Sequence, residues 1–373
     1  MRIVVTGGAG FIGDAVVRTL LRESHEVVVL DSLRADVHRD GGRAARDRLA
    51  AHDVRLVEGD VRDGGLVRQH LRGADAVVHL AAKVGLGVDL DDMDDYVSCN
   101  ALGTASVLRA CHEAGVARLV QASSMVVYGE GAYDCPTHGP VAPPPRAEQR
   151  LAAGLFEPPC PACGSDVVPA LVAEDAALDP RNTYAATKVS QEQLAAVWAR
   201  ETGSRATSLR LHNVYGPGMP RSTPYAGVAA IFWSASTAGQ PSQVFEDGGQ
   251  RRDFVHVDDI AAAFAAAVQD EPRAGAAGAS GTEGMESATG AAGPAGVAGE
   301  HTAYNVGSGV VHTVGALATE LALLADGPPP LVTGRYRLGD VRHITASSDR
   351  AQRELGWAAT VPFREGLTGL SFS

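Results

Sequence analysis

Arg2-Ile3-Val4-Val5-Thr6-Gly7-Gly8-Ala9-Gly10-Phe11-Ile12-Gly13 is the stretch that decides the fold. An apolar β-branched run ends in a turn with glycines at 7, 10 and 13, and a helical stretch follows. Gly7 and Gly10 let the backbone turn tightly and approach a pyrophosphate, which the free N–H groups and dipole of a helix N-terminus attract. Gly13 lets helix and strand pack closely, and Phe11 and Ile12 belong to the same turn. A glycine pattern alone is weak. Here Asp31 ends the second apolar run, 18 residues after Gly13, where a carboxylate accepts hydrogen bonds from a ribose 2′-OH and repels a 2′-phosphate. That favours NAD over NADP, although nearby Arg34 keeps NADP open. A structural glycine turn beside an ordinary surface Asp is the plainer competing reading.

Further strand candidates are Glu26 to Leu30, Arg55 to Glu58, Ala76 to Leu80 and Arg118 to Ala122, with amphipathic stretches between them. Strands alternating with helices imply βαβ units and a parallel sheet buried on both faces, so the class is doubly wound α/β. Two segments break the rhythm. Residues 133–169 are rich in Pro, Gly and Cys, and residues 272–299 are almost all Ala, Gly, Ser and Glu, which reads as a disordered insertion,. Beyond it, Tyr304-Asn305-Val306-Gly307 restarts a strand and Val314 to Leu324 reads as a helix. The expected division is a dinucleotide domain with the catalytic motifs at 1–212 and a smaller α/β lobe at 213–373, interleaved with the sheet.

The 373 residues are 45% hydrophobic and 20% charged, which excludes collagen-like, coiled-coil and wholly disordered chains,. A net charge of −12 gives no general attraction to nucleic acid or anionic lipid, so a phosphorylated partner needs a local basic cluster,. The chain enters a strand at once, and no apolar run reaches membrane-spanning length; the expected compartment is the cytoplasm.

Tyr184 and Lys188 stand at i and i+4 after Pro180 and the cap candidates Asn182 and Thr183, so a helix places both on one face. An ammonium beside a phenol lowers a pKa of about 10 toward what a general base needs. Ser123 and Ser124 end the fifth strand, where a hydroxyl can orient a substrate oxygen. Tyr-x-x-x-Lys alone is common on amphipathic helices; its weight comes from the glycine turn upstream and the serine at a strand end.

With these residues in place, the chain resembles the extended short-chain dehydrogenase/reductase family, the group of nucleotide-sugar epimerases and dehydratases. The resemblance runs nearly the whole length and implies a Rossmann-type fold, tightly bound NAD, a nucleotide-sugar substrate and a homodimer. It rests on the glycine turn, Gly59-Asp60-Val61, His79-Leu80-Ala81-Ala82, Asn100-Ala101-Leu102-Gly103-Thr104, Ser123-Ser124, Tyr184 to Lys188, Asn213-Val214-Tyr215-Gly216-Pro217 and Arg251-Arg252-Asp253-Phe254. By it, Asp60, Val61, Leu80, Ala81, Ala82, Asn100 and Ser123 join the cofactor contacts, and Ser124 is the catalytic hydroxyl. Asn213 would meet the sugar diphosphate and Arg252 and Arg337 would supply charge to it, guanidinium forks matching phosphate oxygens, with Asp340, at the end of Arg337-Leu338-Gly339-Asp340, and Lys83 among the substrate contacts. Within the group the likeness is greatest to the dTDP-L-rhamnose 4-epimerases, on Leu80 to Gly87, Ser123-Ser124-Met125, the cysteine-bearing insertion and Val244-Phe245-Glu246-Asp247-Gly248.

The family's dehydratases and decarboxylases place acids just after the catalytic hydroxyl; here those positions are Met125 and Val126, and neither can move a proton. The expected reaction is therefore C4 epimerisation through a 4-keto sugar, for example dTDP-L-rhamnose to dTDP-6-deoxy-L-talose. Net reduction of a 4-keto sugar is the alternative, and a dinucleotide-binding regulator without catalysis a third.

Cys135-Pro136-Thr137-His138-Gly139 and Cys160-Pro161-Ala162-Cys163-Gly164 lie between the two catalytic motifs. Two such turns can close a tetrahedral Cys3His site for structural zinc. A redox disulfide between Cys160 and Cys163 competes with it. Cys99 and Cys111 read as core residues of a helix.

Overall fold

The computed structural model describes residues 1–85, 90–220, 227–270 and 299–370. The insertion read at residues 272–299 lies, up to 298, outside them, as do residues 86 and 87 of the quoted motif. One seven-stranded sheet organises the chain, in the order Glu300–Val306, Arg205–Leu211, Arg118–Ser124, Ala76–His79, Arg2–Thr6, Glu26–Asp31, Arg55–Glu58. Every neighbouring pair is parallel. Ile3, Val4 and Val5 are all fully buried, as a strand covered on both faces requires. One face packs under the helices Phe11–Arg22 and Val257–Gln269, joined by Leu20, Ile260 and Phe264; the other packs under Gly64–Leu71, Gly103–Ala114 and Thr183–Thr202, joined by Val67, Val107 and Trp198. Among the described residues, no helix is long and apolar enough to cross a membrane.

The strand order reverses between Arg2–Thr6 and Ala76–His79, and such a switch point opens a crevice at the carboxyl ends of the strands. The register aligns those ends: Thr6 lies beside Leu30 and His79, and Ser124 beside Leu211. The residues that follow are thereby delivered to one place, Gly7, Asp31, Leu80, the Met125–Tyr128 turn and His212 among them.

After Leu211 the chain builds a lobe from a three-stranded sheet of Asn213–Tyr215, Arg251–His256 and Val311–Thr313, with the helices Val228–Thr237 and Val314–Leu324 around Tyr215, Phe232, Phe254 and Leu317. The segment read as aperiodic, 133–169, contains short strands: Ala132–Cys135 pairs antiparallel with Gly139–Val141 and Val168–Ala170. Strands of three or four residues are too short to show alternation in the sequence.

Candidate active site

A cavity of about 380 Å³ fills the crevice. It is lined by Gly7, Gly10, Phe11, Ile12, Gly13, Asp31, Asp60, Val61, Leu80, Ala81, Ala82, Ser123, Tyr184 and Lys188, and by Lys83 and Ser124. The turn is built as a cradle. Gly7 has φ 72°, and a Cβ there would stand 2.6 Å from the Ala81 backbone nitrogen. A Cβ on Gly13 would fall 2.3 Å from the Gly7 carbonyl, whereas one on Gly10 would meet only that carbonyl, at 3.5 Å. Gly7 and Gly13 are thus required by the protein's own backbone, and Gly10 leaves a strip of main chain open to the cavity, as a dinucleotide needs.

The Asp31 carboxylate accepts the Ala9 and Leu33 backbone N–H groups at 3.1 and 2.9 Å. Arg34, which kept NADP open, is held by Asp36 at 2.9 Å and Asp95 at 2.9 Å. A guanidinium so neutralised adds little attraction for a 2′-phosphate, and the pair fits NAD.

At the other end, Asn182 caps the helix Thr183–Thr202, its Oδ1 accepting the Ala185 N–H at 2.8 Å. Tyr184 and Lys188 share the face turned to the cavity, with the Lys188 ammonium 5.8 Å from the Tyr184 ring centre and donating to the Ala122 carbonyl at 2.9 Å. Burial pushes the Tyr184 phenol up to about 12, against the pull of a hydrogen bond with the Ser124 hydroxyl. Burial likewise pushes Lys188 down to about 8. Ser123 turns away from the reacting end and donates to Glu192, which also binds Arg210.

The Lys188 shift has a consequence for stability. Its pKa falls from 10.5 to about 8 on folding, so its contribution is present above the unfolded value and is lost as pH drops toward 8. Tyr184 works in the opposite sense only above its ordinary value of 10. In cofactor-free protein, urea unfolding should show stability rising between about pH 8 and 10, and Lys188→Met should flatten that rise. An unchanged slope in the variant would contradict the burial of this charge.

Asn100 sits behind the wall, not in it. Its amide accepts the Lys83 N–H at 2.7 Å and donates to the Lys83 carbonyl and to Thr187; it braces the loop that follows the strand Ala76–His79 and carries Lys83. The Lys83 ammonium is itself held by Asp92 and Asp95, at 2.7 and 2.9 Å. Cys111 is in the core as read, while Cys99 also lines the cavity.

Asn213, Arg252, Arg337 and Asp340 do not line this cavity. Asp340 lies within reach of the charges of Arg337, Arg252 and Arg146, while burial raises its pKa. The Arg252 guanidinium donates to the carbonyls of Arg251, Val341 and Arg342. Phe245 has Arg335 and Arg337 each 4.9 Å from its ring centre.

Two features escaped the sequence. His212, buried and lining the cavity, has both ring nitrogens unpaired, and the Asn213 Oδ1 beside it is unpaired as well. Burial holds His212 neutral by pushing its pKa down. Unpaired polar atoms on His212, at the cavity wall, and on Asn213 beside it call for a partner such as a ligand or water,; the only advance sign was their place just after a strand end. The second is an ion network, buried at Arg146, Glu246 and Arg342 and reaching the surface at Glu157 and Asp247, in which Arg342 contacts Glu246 at 2.8 Å and Glu157 and Asp247 at 2.7 Å. The cysteine cluster is assembled: one ligand atom from each of Cys135, His138, Cys160 and Cys163 lies within 4.8 Å of all the others.

The profile of the NAD dependent epimerase/dehydratase family matches residues 3–148 and 163–278. The chain is 30% identical over 371 residues to the dTDP-L-rhamnose 4-epimerase of Burkholderia thailandensis, covering 98% of this chain and 93% of that one. It is 30% identical over 374 residues to the UDP-glucose 4-epimerase of Mycolicibacterium smegmatis, covering 98% and 96%. The crystal structure of UDP-glucose 4-epimerase from Thermus thermophilus in complex with NAD superposes with a TM-score of 0.70 at 29% identity, covering 99% of this chain and 97% of that one. With its glycine cradle, its parallel sheet and this breadth of likeness, the chain belongs to the NAD-dependent epimerase/dehydratase family, within the extended short-chain dehydrogenases/reductases.

Proposed function

We propose that this protein is an NAD-dependent nucleotide-sugar 4-epimerase that interconverts C4 epimers through a transient 4-keto sugar, with dTDP-L-rhamnose and dTDP-6-deoxy-L-talose as the first pair to test. The observation that carries the reading is the meeting of Ser124, Tyr184 and Lys188 in the cavity that the glycine turn and Asp31 also line, with Met125 and Val126 where an elimination would need acids,. The likeness to the Burkholderia thailandensis enzyme over 98% of the chain supports the choice of sugar.

Bound NAD supplies a hydride acceptor that gives the hydride back. The chain's own groups handle the proton and the geometry. Tyr184 acts as the phenolate, its own proton having first passed to solvent with the Lys188 ammonium offsetting the charge; it takes the C4 hydroxyl proton and later returns it, and the Ser124 hydroxyl, hydrogen-bonded to Tyr184, fixes the direction of that oxygen. Lys188 spends one N–H on Ala122 and keeps two donors and its charge beside the phenol. Asn213, Arg252 and Arg337 face the sugar diphosphate, with Asp340 among the substrate contacts, and His212 and Asn213 have unpaired polar atoms that a bound ligand would complete. In this reading residues 1–212 hold NAD and the catalytic groups, and 213–373 hold the nucleotide sugar. Zinc on Cys135, His138, Cys160 and Cys163 does no chemistry, because four protein ligands close its shell. The reading also places two copies together through the exposed Val97, Leu102 and Val197, in the cytoplasm, where five unpaired cysteines stay reduced,.

The test is to incubate the purified protein, without added cofactor, with dTDP-L-rhamnose and a panel of UDP-hexoses, following the C4 configuration by NMR. Equilibration of one substrate with its C4 epimer is expected. Consumption of a 4-keto sugar with stoichiometric NAD(P)H oxidation, and no epimerisation, would make the enzyme a reductase. A second outcome concerns the cofactor: Asp31→Ala should weaken NAD roughly ten- to a hundredfold, the worth of a hydrogen bond to a charged group, while NADP binding holds or improves. Equal loss for both dinucleotides would remove Asp31 from the ribose.

A further inference from the structure

We propose that the insertion is a zinc-closed clamp, in which a Zn²⁺ on Cys135, His138, Cys160 and Cys163 fixes the 337–343 segment against the insertion and so sets the nucleotide-sugar face without touching the NAD cavity. The second half rests on the reading of Arg337 as a diphosphate-facing residue and of Asp340 as a substrate contact; the metal site does not.

The metal comes first. Tetrahedral zinc with Zn–S about 2.3 Å and Zn–N about 2.0 Å requires ligand atoms about 3.8 Å apart for two sulfurs and about 3.5 Å apart for sulfur and nitrogen. Cys135 Sγ and Cys163 Sγ stand 3.8 Å apart, and His138 Nδ1 lies 3.5 Å from Cys135 Sγ and 3.6 Å from Cys160 Sγ. Three of the six edges of a coordination tetrahedron are thus in place, and the other three are within 4.8 Å. All three thiols are free; the disulfide alternative uses two sulfurs and leaves His138 without a reason to be there. The two turns repeat one backbone device, since Gly139 and Gly164 close them at φ 70° and 74°. The Thr137 N–H points at the Cys135 sulfur, at 3.4 Å, as thiolate ligands favour. The insertion also needs a staple, because its core is only Tyr133, Cys135, Cys160 and Val167 with Val141 beside them, and two of those are the ligands themselves,.

The clamp follows from what the insertion holds. Arg146 donates to the Asp340 carbonyl at 2.7 Å and pairs with Glu246 at 2.8 Å. Glu157 receives Arg342 at 2.7 Å and His343 at 2.8 Å. Tyr133, two residues before the first ligand, donates to Glu130, which accepts the Arg342 backbone N–H at 2.6 Å. Glu246 takes both Arg146 and Arg342 while held at φ 53°. A non-glycine residue persists in that region only where its surroundings over-determine it. Without the insertion, the buried Glu246 would lose Arg146, one of its two guanidinium partners, and Arg342 would lose Glu157 and keep Glu246 and Asp247, a costly change for buried charges. No residue of 133–169 lines the dinucleotide cavity. Losing the metal should therefore act on the sugar nucleotide and spare NAD.

The experiment takes full-length protein purified without immobilised metal and counts zinc by plasma mass spectrometry, bound NAD by absorbance after release, and dTDP and UDP affinity by calorimetry. One zinc per chain is expected in the wild type and almost none in Cys163→Ser, with NAD content unchanged and the affinity of the better-bound nucleotide lowered tenfold or more. If Cys163→Ser does not fold, Glu157→Gln opens the clamp with the metal in place, and the same loss of affinity should appear with zinc retained. Wild-type protein from zinc-supplemented growth that carries no stoichiometric metal overturns the site. Unchanged nucleotide affinity in Glu157→Gln, or in folded zinc-free protein, overturns the clamp. A wild type that binds neither dTDP nor UDP overturns the nucleotide-sugar reading and the clamp with it, and leaves the zinc count standing.

Discussion

Tyr184→Phe should lower turnover about 10²- to 10⁴-fold, the range general acid–base groups supply, and leave NAD content and thermal stability close to wild type. The phenol oxygen meets the Ser124 hydroxyl, and the Lys188 ammonium stands over the ring, 5.8 Å from its centre; the ring packs 6.1 Å from Tyr96. Removing only the oxygen keeps the ring and its packing, so the loss falls on chemistry. The protein-only environment disfavours either charge alone, holding the phenol up at about 12 and the ammonium down at about 8. A proton leaving Tyr184 while Lys188 keeps its own yields a pair in which each charge offsets the other's burial. That is why a residue so reluctant to ionise can serve as the base once substrate and cofactor are seated. Lys188→Met should lose comparable turnover by raising the phenol further. Turnover within tenfold of wild type in Tyr184→Phe would move the proton to another group, and the proposed mechanism would fail.

What the sequence disclosed was local. The glycine turn, the strand runs and Tyr184 with Lys188 are each set by neighbours within a few residues, and the five early strands end within two residues of their expected limits. Asn100 marks the limit of such reading. Its motif pointed to the cofactor, whereas its amide is spent on Lys83 and Thr187, the latter a contact no local pattern displays. The Arg342 network is still less legible, because its partners Glu157 and Glu246 lie 185 and 96 residues away. Buried ion pairs are set by tertiary packing, and each member looks in the sequence like an ordinary surface charge. The cysteines were legible for the opposite reason: two five-residue turns state the donor set by themselves, and folding had only to bring the turns together.

The glycine turn offers a prediction that separates fold from cofactor. Gly7→Ala should destabilise the protein by about 3 kcal/mol, at the upper end of ordinary single substitutions. Its φ of 72° costs an L-residue roughly 1–2 kcal/mol,. The new methyl would also stand 2.6 Å from the Ala81 nitrogen and 2.8 Å from the Leu80 carbonyl carbon, backbone atoms that cannot rotate aside. Gly10→Ala meets neither obstacle. Its φ is −76°, and the nearest atom to the methyl is the Gly7 carbonyl at an ordinary 3.5 Å. The variant should unfold at the same temperature as cofactor-free wild type, yet emerge from purification with little NAD, because the methyl occupies the strip along which a pyrophosphate approaches the main chain. Thermal melts with and without added NAD distinguish the cases: wild type gains stability from the ligand, Gly10→Ala gains almost none, and Gly7→Ala starts low. Full NAD content in Gly10→Ala would remove the dinucleotide from this turn, and a wild-type melting temperature in Gly7→Ala would mean that the turn does not hold the left-handed geometry that brings Leu80 and Ala81 against it.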